Sequence, residues 1–458
     1  MKIQFLGAVQ TVTGSKYLIQ TNQSNLLIDC GLFQGYKELR LRNWANLPIN
    51  PQKIDYILLT HAHIDHSGYI PLLIKNGFRG KVLCTAATKD LCSILLPDSG
   101  HLHEEDARYA NRKGYSKHHP ALPLYTQKEA EDSLSYFQVV SFEDRIQLAR
   151  NLYATFYYGG HILGASFIRL EQGDTSILFS GDLGRQTDPL MFPPKEPPSS
   201  DFLVIESTYG NRIHDPIDPS IQLKAIINRT VKRGGSIIIP SFAVGRTQSL
   251  LYYLYELKSK KEIPDIPVFV DSPMATDATK IFARYAEQNR LTKEQNRAVC
   301  GVAHYINSVD ESIALDNQKF PAIIISASGM ATGGRVIHHI RHFAPNFKNT
   351  ILFSGFQVGG TRGDRMIRGE KEIKMFGKMI PIRAEIAQID NISAHADSSE
   401  MLDWLANLKK APRQLFITHG ETEAAQALKA KIEQQFQWKC DIPSYLDSAT
   451  LCEEPSGG

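Results

Sequence analysis

Long apolar runs are missing from the sequence. Stretches such as Ile237-Ile238-Ile239 and Ile323-Ile324-Ile325 fall far short of the roughly 20 residues a membrane-spanning helix needs. Cysteine is sparse: six residues, at 30, 84, 92, 300, 440 and 452, with no CxxC pair. That spacing argues against a disulfide framework and against a cysteine-held zinc, and it reads as a protein of the reducing cytoplasm. A secretory leader is not evident either. Met1-Lys2-Ile3-Gln4-Phe5-Leu6-Gly7 runs straight into a strand-like pattern, with no apolar region leading to a small-residue cleavage site. Charge of one sign is also lacking, since 51 Lys and Arg face 48 Asp and Glu for a net +3. Without a basic coat, any polyanion must be attracted by local groups. No internal repeat is found, and Glu453 to Gly458 reads as a polar tail.

What is present is an ordinary globular composition, 42% hydrophobic and 22% charged over 458 residues, enough chain for two or three domains. Short strands are expected at Lys2 to Gly7, Lys16 to Gln20 and Asn25 to Asp29, then a buried one at Asp55 to Thr60. Helical stretches follow, Thr126 to Phe137 among them. Further strands read at Leu152 to Tyr157, Phe167 to Gln172, Ser176 to Ser180 and Phe202 to Ile205. Alternating strands and helices indicate an α/β layer structure. The proline-rich segment Pro189 to Ser200 reads as a boundary loop. After Glu206 the rhythm changes to a second α/β unit, with helices at Ser220 to Arg233 and Thr247 to Lys258. Strands are expected there at Ser236 to Pro240, Pro267 to Val270, Ala322 to Ser326 and Thr350 to Phe353. Ile382 to Ile389, with helices near Glu400 to Leu408 and Thr422 to Gln435, reads as a return to the first style.

The strongest chemical signal is Thr60-His61-Ala62-His63-Ile64-Asp65-His66-Ser67-Gly68, directly after an apolar strand. Imidazole nitrogen and carboxylate oxygen suit zinc. A loop leaving a strand aims alternate side chains in different directions, so His61 and His63 can hold one ion while Asp65 and His66 hold another.

With that motif the sequence resembles the metallo-β-lactamase superfamily, whose hallmark is His-x-His-x-Asp-His. Asp29, after Leu27-Ile28, matches the family's orienting aspartate. His161, in Gly160-His161-Ile162-Leu163-Gly164, matches the third-motif histidine. Asp182, in Ser180-Gly181-Asp182-Leu183-Gly184, matches the aspartate that bridges two metals. Three further stretches resemble motifs A, B and C of the β-CASP branch: Glu206-Ser207-Thr208-Tyr209-Gly210, Ser393-Ala394-His395-Ala396-Asp397 and Thr418-His419-Gly420-Glu421. These are nucleases related to the endonuclease subunit of the pre-mRNA cleavage and polyadenylation factor. The likeness spans nearly the whole chain.

The resemblance implies an α/β fold: a four-layered αββα metallo-β-lactamase core at 1–207 and 381–458, with a β-CASP cap inserted at 208–380 and the active site in the cleft between. It implies two zinc ions held by His61, His63, Asp65, His66, His161, Asp182 and His419, with Asp29 behind them. Asp65 and Asp182 leave the pair about one net positive charge once a bridging hydroxide is counted, facing an anionic phosphodiester. His395 is the implied general acid, oriented by Glu206. Histidine at motif C points to RNA, because DNA-repair members usually carry valine there. Three loops pair glycine with Arg246, Arg335 and Arg362, and these arginines are candidate phosphate contacts. The expected activity is zinc-dependent RNA hydrolysis by a two-metal hydroxide mechanism, endonucleolytic, leaving 5′-phosphate and 3′-hydroxyl ends. Rival readings are a 5′–3′ exoribonuclease, a small-molecule metallo-hydrolase of the same fold, and a non-catalytic RNA-binding scaffold. No membrane partner is expected, and a homodimer stays open.

Overall fold

The computed structural model describes residues 1–451 other than Tyr115, Lys117 and Phe356; the expected polar tail lies outside them. The chain forms two compact units, Met1–Ile213 with His395–Gly458, and His214–Ala394.

The first unit is a sandwich of two seven-stranded sheets. One runs Ser448–Thr450, Lys2–Phe5, Tyr17–Gln20, Asn25–Ile28, Tyr56–Leu58, Lys81–Thr85, Phe137–Val140. The other runs Cys440–Asp441, Gln414–Ile417, Phe202–Ile205, Thr175–Phe179, Ser166–Gln172, Leu152–Tyr158, Arg145–Ala149. Period-two alternation gives each strand one face for the space between the sheets. There Ile3, Phe5, Ile19, Leu26 and Ile28 pack on Phe156, Ile168, Leu170, Ile177, Phe179 and Phe416. The opposite face of the second sheet, with Leu178, Leu203, Leu415 and Ile417, packs on Met401, Trp404 and Leu428 of the helices Ser398–Ala406 and Thr422–Phe436. Helix Ala86–Lys113 packs against Lys81–Thr85 and Phe137–Val140 of the first sheet. The layers are therefore αββα.

The second unit holds an all-parallel six-stranded sheet: His304–Ile306, Val268–Asp271, Ile323–Ser326, Ile237–Pro240, Thr350–Ser354, Glu385–Ile389. Its strands are isoleucine-rich runs, as expected where both faces are buried. Glu385–Ile389 corrects the sequence reading. It pairs in parallel with Thr350–Ser354, so the first unit resumes near His395 rather than at 381. Its strand character was readable, but a short strand does not announce its partner. One helix differs from expectation, and another was not delimited in the sequence. Thr126 opens a helix through a capping box with Glu129, yet the helix stops at Ser133, and Phe137 starts a strand beside Lys81–Thr85. Ala86–Lys113 is one helix of 28 residues, despite Pro97 within it. No helix among the described residues is long and apolar enough to cross a membrane.

Candidate metal centre

Six of the strands in the first unit end where the chemistry begins. Asp29 follows Asn25–Ile28, and the cluster from His61 follows Tyr56–Leu58, its parallel neighbour. Asp182, Glu206 and His419 follow Thr175–Phe179, Phe202–Ile205 and Gln414–Ile417, which are mutually parallel. His161 follows Leu152–Tyr158. Side chains beyond the carboxyl ends of parallel strands share one edge of a sheet, and Ser166 N donates to Thr60 O to join the two sheets there. Close backbone contact is required. A Cβ on Gly31 would stand 1.6 Å from Asp65 O. Asp29 and His419 hold left-handed backbone, with φ of 58° and 46°, a strain that ordinary turns avoid.

The first donor set is His61, His63, His161 and Asp182. His61 Nε2 is 3.1 Å from His63 Nδ1, and His161 Nε2 is 3.2 Å from the same nitrogen. Asp182 Oδ2 is 3.4 Å from His61 Nε2 and 3.5 Å from His161 Nε2. Ligands ~2.0–2.1 Å from a tetrahedral zinc lie about 3.3 Å from one another, so these four atoms fit one ion. Burial drives the pKa of His61 down to about 3 and that of His63 to about 4, and holds His161 well below its ordinary value. All three imidazoles are therefore neutral, with lone pairs to donate.

The second set is Asp65, His66 and His419. His66 Nε2 is 3.0 Å from His419 Nε2, and Asp65 Oδ2 is 3.4 Å from His419 Nε2 and 3.8 Å from His66 Nε2. Asp182 turns its other oxygen here: Oδ1 is 3.2 Å from His66 Nε2 and 3.5 Å from His419 Nδ1. That buried oxygen makes no hydrogen bond among the described residues. A buried carboxylate oxygen without a donor is costly, and a shared cation removes the cost. The residues present fit two ions bridged by Asp182.

Partners behind the ligands set their tautomers. Asp29 Oδ2 accepts from His66 Nδ1 at 2.7 Å and also receives the Thr60 hydroxyl at 2.9 Å. Thr60 Oγ1 in turn accepts from His61 Nδ1 at 3.0 Å, and Thr208 Oγ1 lies 3.1 Å from His419 Nδ1. Thr60 and Thr208 escaped the sequence reading. Both stood inside quoted motifs, directly beside or two residues from a named acid or histidine, and only the fold assigns them work.

His395 sits at the edge of the first set. Its Nδ1 is 3.1 Å from Glu206 Oε2, and its Nε2 is 3.9 Å from Asp182 Oδ2. Burial works against the imidazolium, but Glu206 and Asp182 outweigh it and raise the pKa. Buried Glu206 also accepts from Leu183 N at 2.6 Å, and residues 395 and 184 form a β-bridge. One carboxylate thus fixes both His395 and the loop that presents Asp182.

The three candidate arginines have partners within the second unit. Within the second unit, Arg335 Nη1 lies 2.6 Å from buried Asp271 Oδ1, and its Nη2 donates to Asn307 O at 2.8 Å. Arg362 donates to the carbonyls of Thr332, Ala331 and Lys374. Arg335 thus ties its loop to the end of strand Val268–Asp271, and Arg362 holds turn carbonyls of the same unit. Arg246 packs over Gly355, where an added Cβ would come within 2.4 Å of Nη1.

Comparison with known proteins agrees with this arrangement. Family models match residues 11–88 as the metallo-β-lactamase superfamily, 247–366 as the Beta-Casp domain, and 379–443 as the Zn-dependent metallo-hydrolase RNA specificity domain. Ribonuclease TTHA0252 of Thermus thermophilus is 31% identical over 93% of this chain and 95% of its own. The chain belongs to the β-CASP branch of the metallo-β-lactamase superfamily. This β-CASP protein is also 30% identical to the transcription termination factor FttA of Methanosarcina mazei, over 98% of this chain and 72% of that one. A crystal structure of a protein of unknown function from Enterococcus faecalis shares the fold, with a TM-score of 0.52 and 13% identity over 98% of this chain. The first match contains Asp29 and His61 to His66 and the third contains His395 and His419, while His161 and Asp182 fall between the matched stretches.

Proposed function

We propose that the chain is a two-zinc ribonuclease that cleaves RNA internally, working in the cytoplasm, where the five free cysteines among the described residues stay reduced. The observation that carries the reading is Asp182, which offers one oxygen to each of two converging donor sets. RNA as the substrate is supported by the RNA specificity model over 379–443, by the relative named a ribonuclease, and by histidine at position 419. When bound, the ions supply Lewis acidity and water made acidic enough to deprotonate near neutral pH. The protein supplies position and protons. Asp29, Thr60 and Thr208 keep the ligand nitrogens aimed inward. Water adds to phosphorus as the bond to the ribose 3′ oxygen breaks, and His395 Nε2 gives that oxygen its proton. Glu206 holds the opposite ring nitrogen, so the imidazolium is both stabilised and oriented. The products carry 5′-phosphate and 3′-hydroxyl ends.

Matched single strands of RNA and DNA separate this reading from a DNA-directed one. The RNA strand is cleaved much faster, and its binding weakens with salt by a log–log slope of about 0.7 for each phosphate contact. Equal rates on the two strands would reassign the substrate. The internal mode is tested on a covalently closed circular RNA, which has no end to grip. Full-length linear RNA is the first product. An intact circle beside a linear control degraded from its 5′ end would make the protein an exonuclease.

A further inference from the structure

The first unit carries an exposed aromatic and basic segment that the metal centre does not use. Residues 36–44 read Tyr-Lys-Glu-Leu-Arg-Leu-Arg-Asn-Trp. Tyr36 is 51% exposed, Leu41 57% and Trp44 60%, and Lys37 and Arg40 are exposed beside them. Single exposed rings are ordinary on a protein surface, but here two of them and an exposed leucine fall within nine residues. Two outward cations, Lys37 and Arg40, accompany one outward acid, Glu38, and Asp106 of the helix Ala86–Lys113 lies near enough to feel the charge of Arg40.

The segment is anchored, not loose. Asn43 is buried, accepting from Phe33 N at 2.9 Å and donating to Phe33 O at 2.8 Å. Arg42 lies between the rings of Phe33 and Tyr445, 5.5 and 4.3 Å from their centroids. Leu32, one residue before Phe33, donates its N–H to Ile64 O in the ligand loop at 3.0 Å. A short run of backbone therefore joins this surface rigidly to Asp65 and His66. The inward residues, Arg42 and Asn43, are spent on anchoring, and among the exposed ones two rings, Tyr36 and Trp44, bracket in sequence two cations, Lys37 and Arg40, with Glu38 and Leu41 between them. Rings for bases and cations for phosphates are the two contacts that single-stranded nucleic acid makes without regard to sequence.

From this we infer that the face bearing Tyr36, Lys37, Arg40 and Trp44 is a platform for single-stranded RNA flanking the cleaved bond. The inference rests on RNA being the substrate. Its test compares kcat/KM of the zinc-loaded enzyme on single strands of ~30 and ~6 nucleotides, the shorter limited to the neighbourhood of the metal centre. Tyr36→Ala with Trp44→Ala lowers the long-over-short ratio about tenfold. Phe347→Ala, removing an exposed ring in the second unit, leaves the ratio as it was. Lys37→Ala with Arg40→Ala reduces the salt slope on the long strand by about 0.7 for each cation removed. An unaltered ratio and slope in enzymes that still cut RNA would overturn the platform and leave the ribonuclease reading standing. Failure of the unaltered protein to cut either strand would remove both. Loss of self-association in sedimentation, with the ratio unaltered, would make the face a contact between copies instead and likewise overturn the platform.

Discussion

Replacing His395 by alanine keeps both metals and lowers turnover by a factor of ~10² to 10⁴, the usual worth of a positioned proton donor. The expectation comes from geometry. His395 Nε2 is 3.9 Å from Asp182 Oδ2, at the margin of the first donor set, while its Nδ1 is occupied by Glu206. The four donors of that set are complete without it. Elemental analysis of the variant therefore matches the parent, and RNA binding persists. A leaving group that needs no proton isolates the role: an activated phosphodiester with a nitrophenolate leaving group is cleaved by the variant with a far smaller deficit. If the variant instead loses zinc, His395 is a ligand. Glu206→Gln acts in the same direction, because a neutral amide no longer stabilises the imidazolium, and it also disturbs the Leu183 contact.

Asp182→Ala has the second large effect, and it falls on metal content. On the two-zinc reading proposed above, elemental analysis of the unaltered protein, purified without added metal, is expected to give about two zinc ions per chain. Asp182 contributes an oxygen to each donor set, so its removal weakens both sets together. Asp65→Ala removes a donor from the second set alone. The two variants consequently differ in kind: Asp182→Ala approaches zero zinc and background activity, and Asp65→Ala retains about one ion. Circular dichroism guards against a folding defect, since removing Asp182 leaves five imidazoles, those of His61, His66, His161, His395 and His419, facing an emptied carboxylate position. Full occupancy in Asp182→Ala would show that the bridge is wrongly assigned.

Much of this centre was legible because its residues cluster in motifs with few alternative uses. His61, His63, Asp65 and His66 fall within one loop, and no packing rule asks for such a run in a buried strand end. Asp29, His161, Asp182 and His419 were legible through resemblance rather than through their own neighbourhoods. What stayed hidden has a common physical cause. Thr60 and Thr208 act through hydroxyl orientation, which composition does not express. Arg335 and Arg362 carry the right charge beside glycine-rich turns, but their partners, Asp271 and the carbonyls of Thr332 and Lys374, are brought close only by tertiary folding. In the fold, the helix Ala86–Lys113 contains Pro97 and Gly100, residues that weaken a helical pattern in sequence. Packing of Leu91, Leu95 and Leu96 in the interior carries it through a position where an isolated helix would break.

The order in which the donors are synthesised has its own consequence. His61, His63, His161 and Asp182 all precede residues 214–394, while His395 and His419 follow them. Strand Gln414–Ile417, which presents His419, fills the place between Phe202–Ile205 and Cys440–Asp441, so the second sheet also waits for it. At ~5–20 residues per second, translating the intervening unit takes on the order of ten to forty seconds. Throughout that interval a nascent chain owns one donor set and neither the proton donor nor the second set. For a hydrolase of RNA, the message under translation is the nearest substrate, and His395 and His419 join the other donors only after the second unit has been translated.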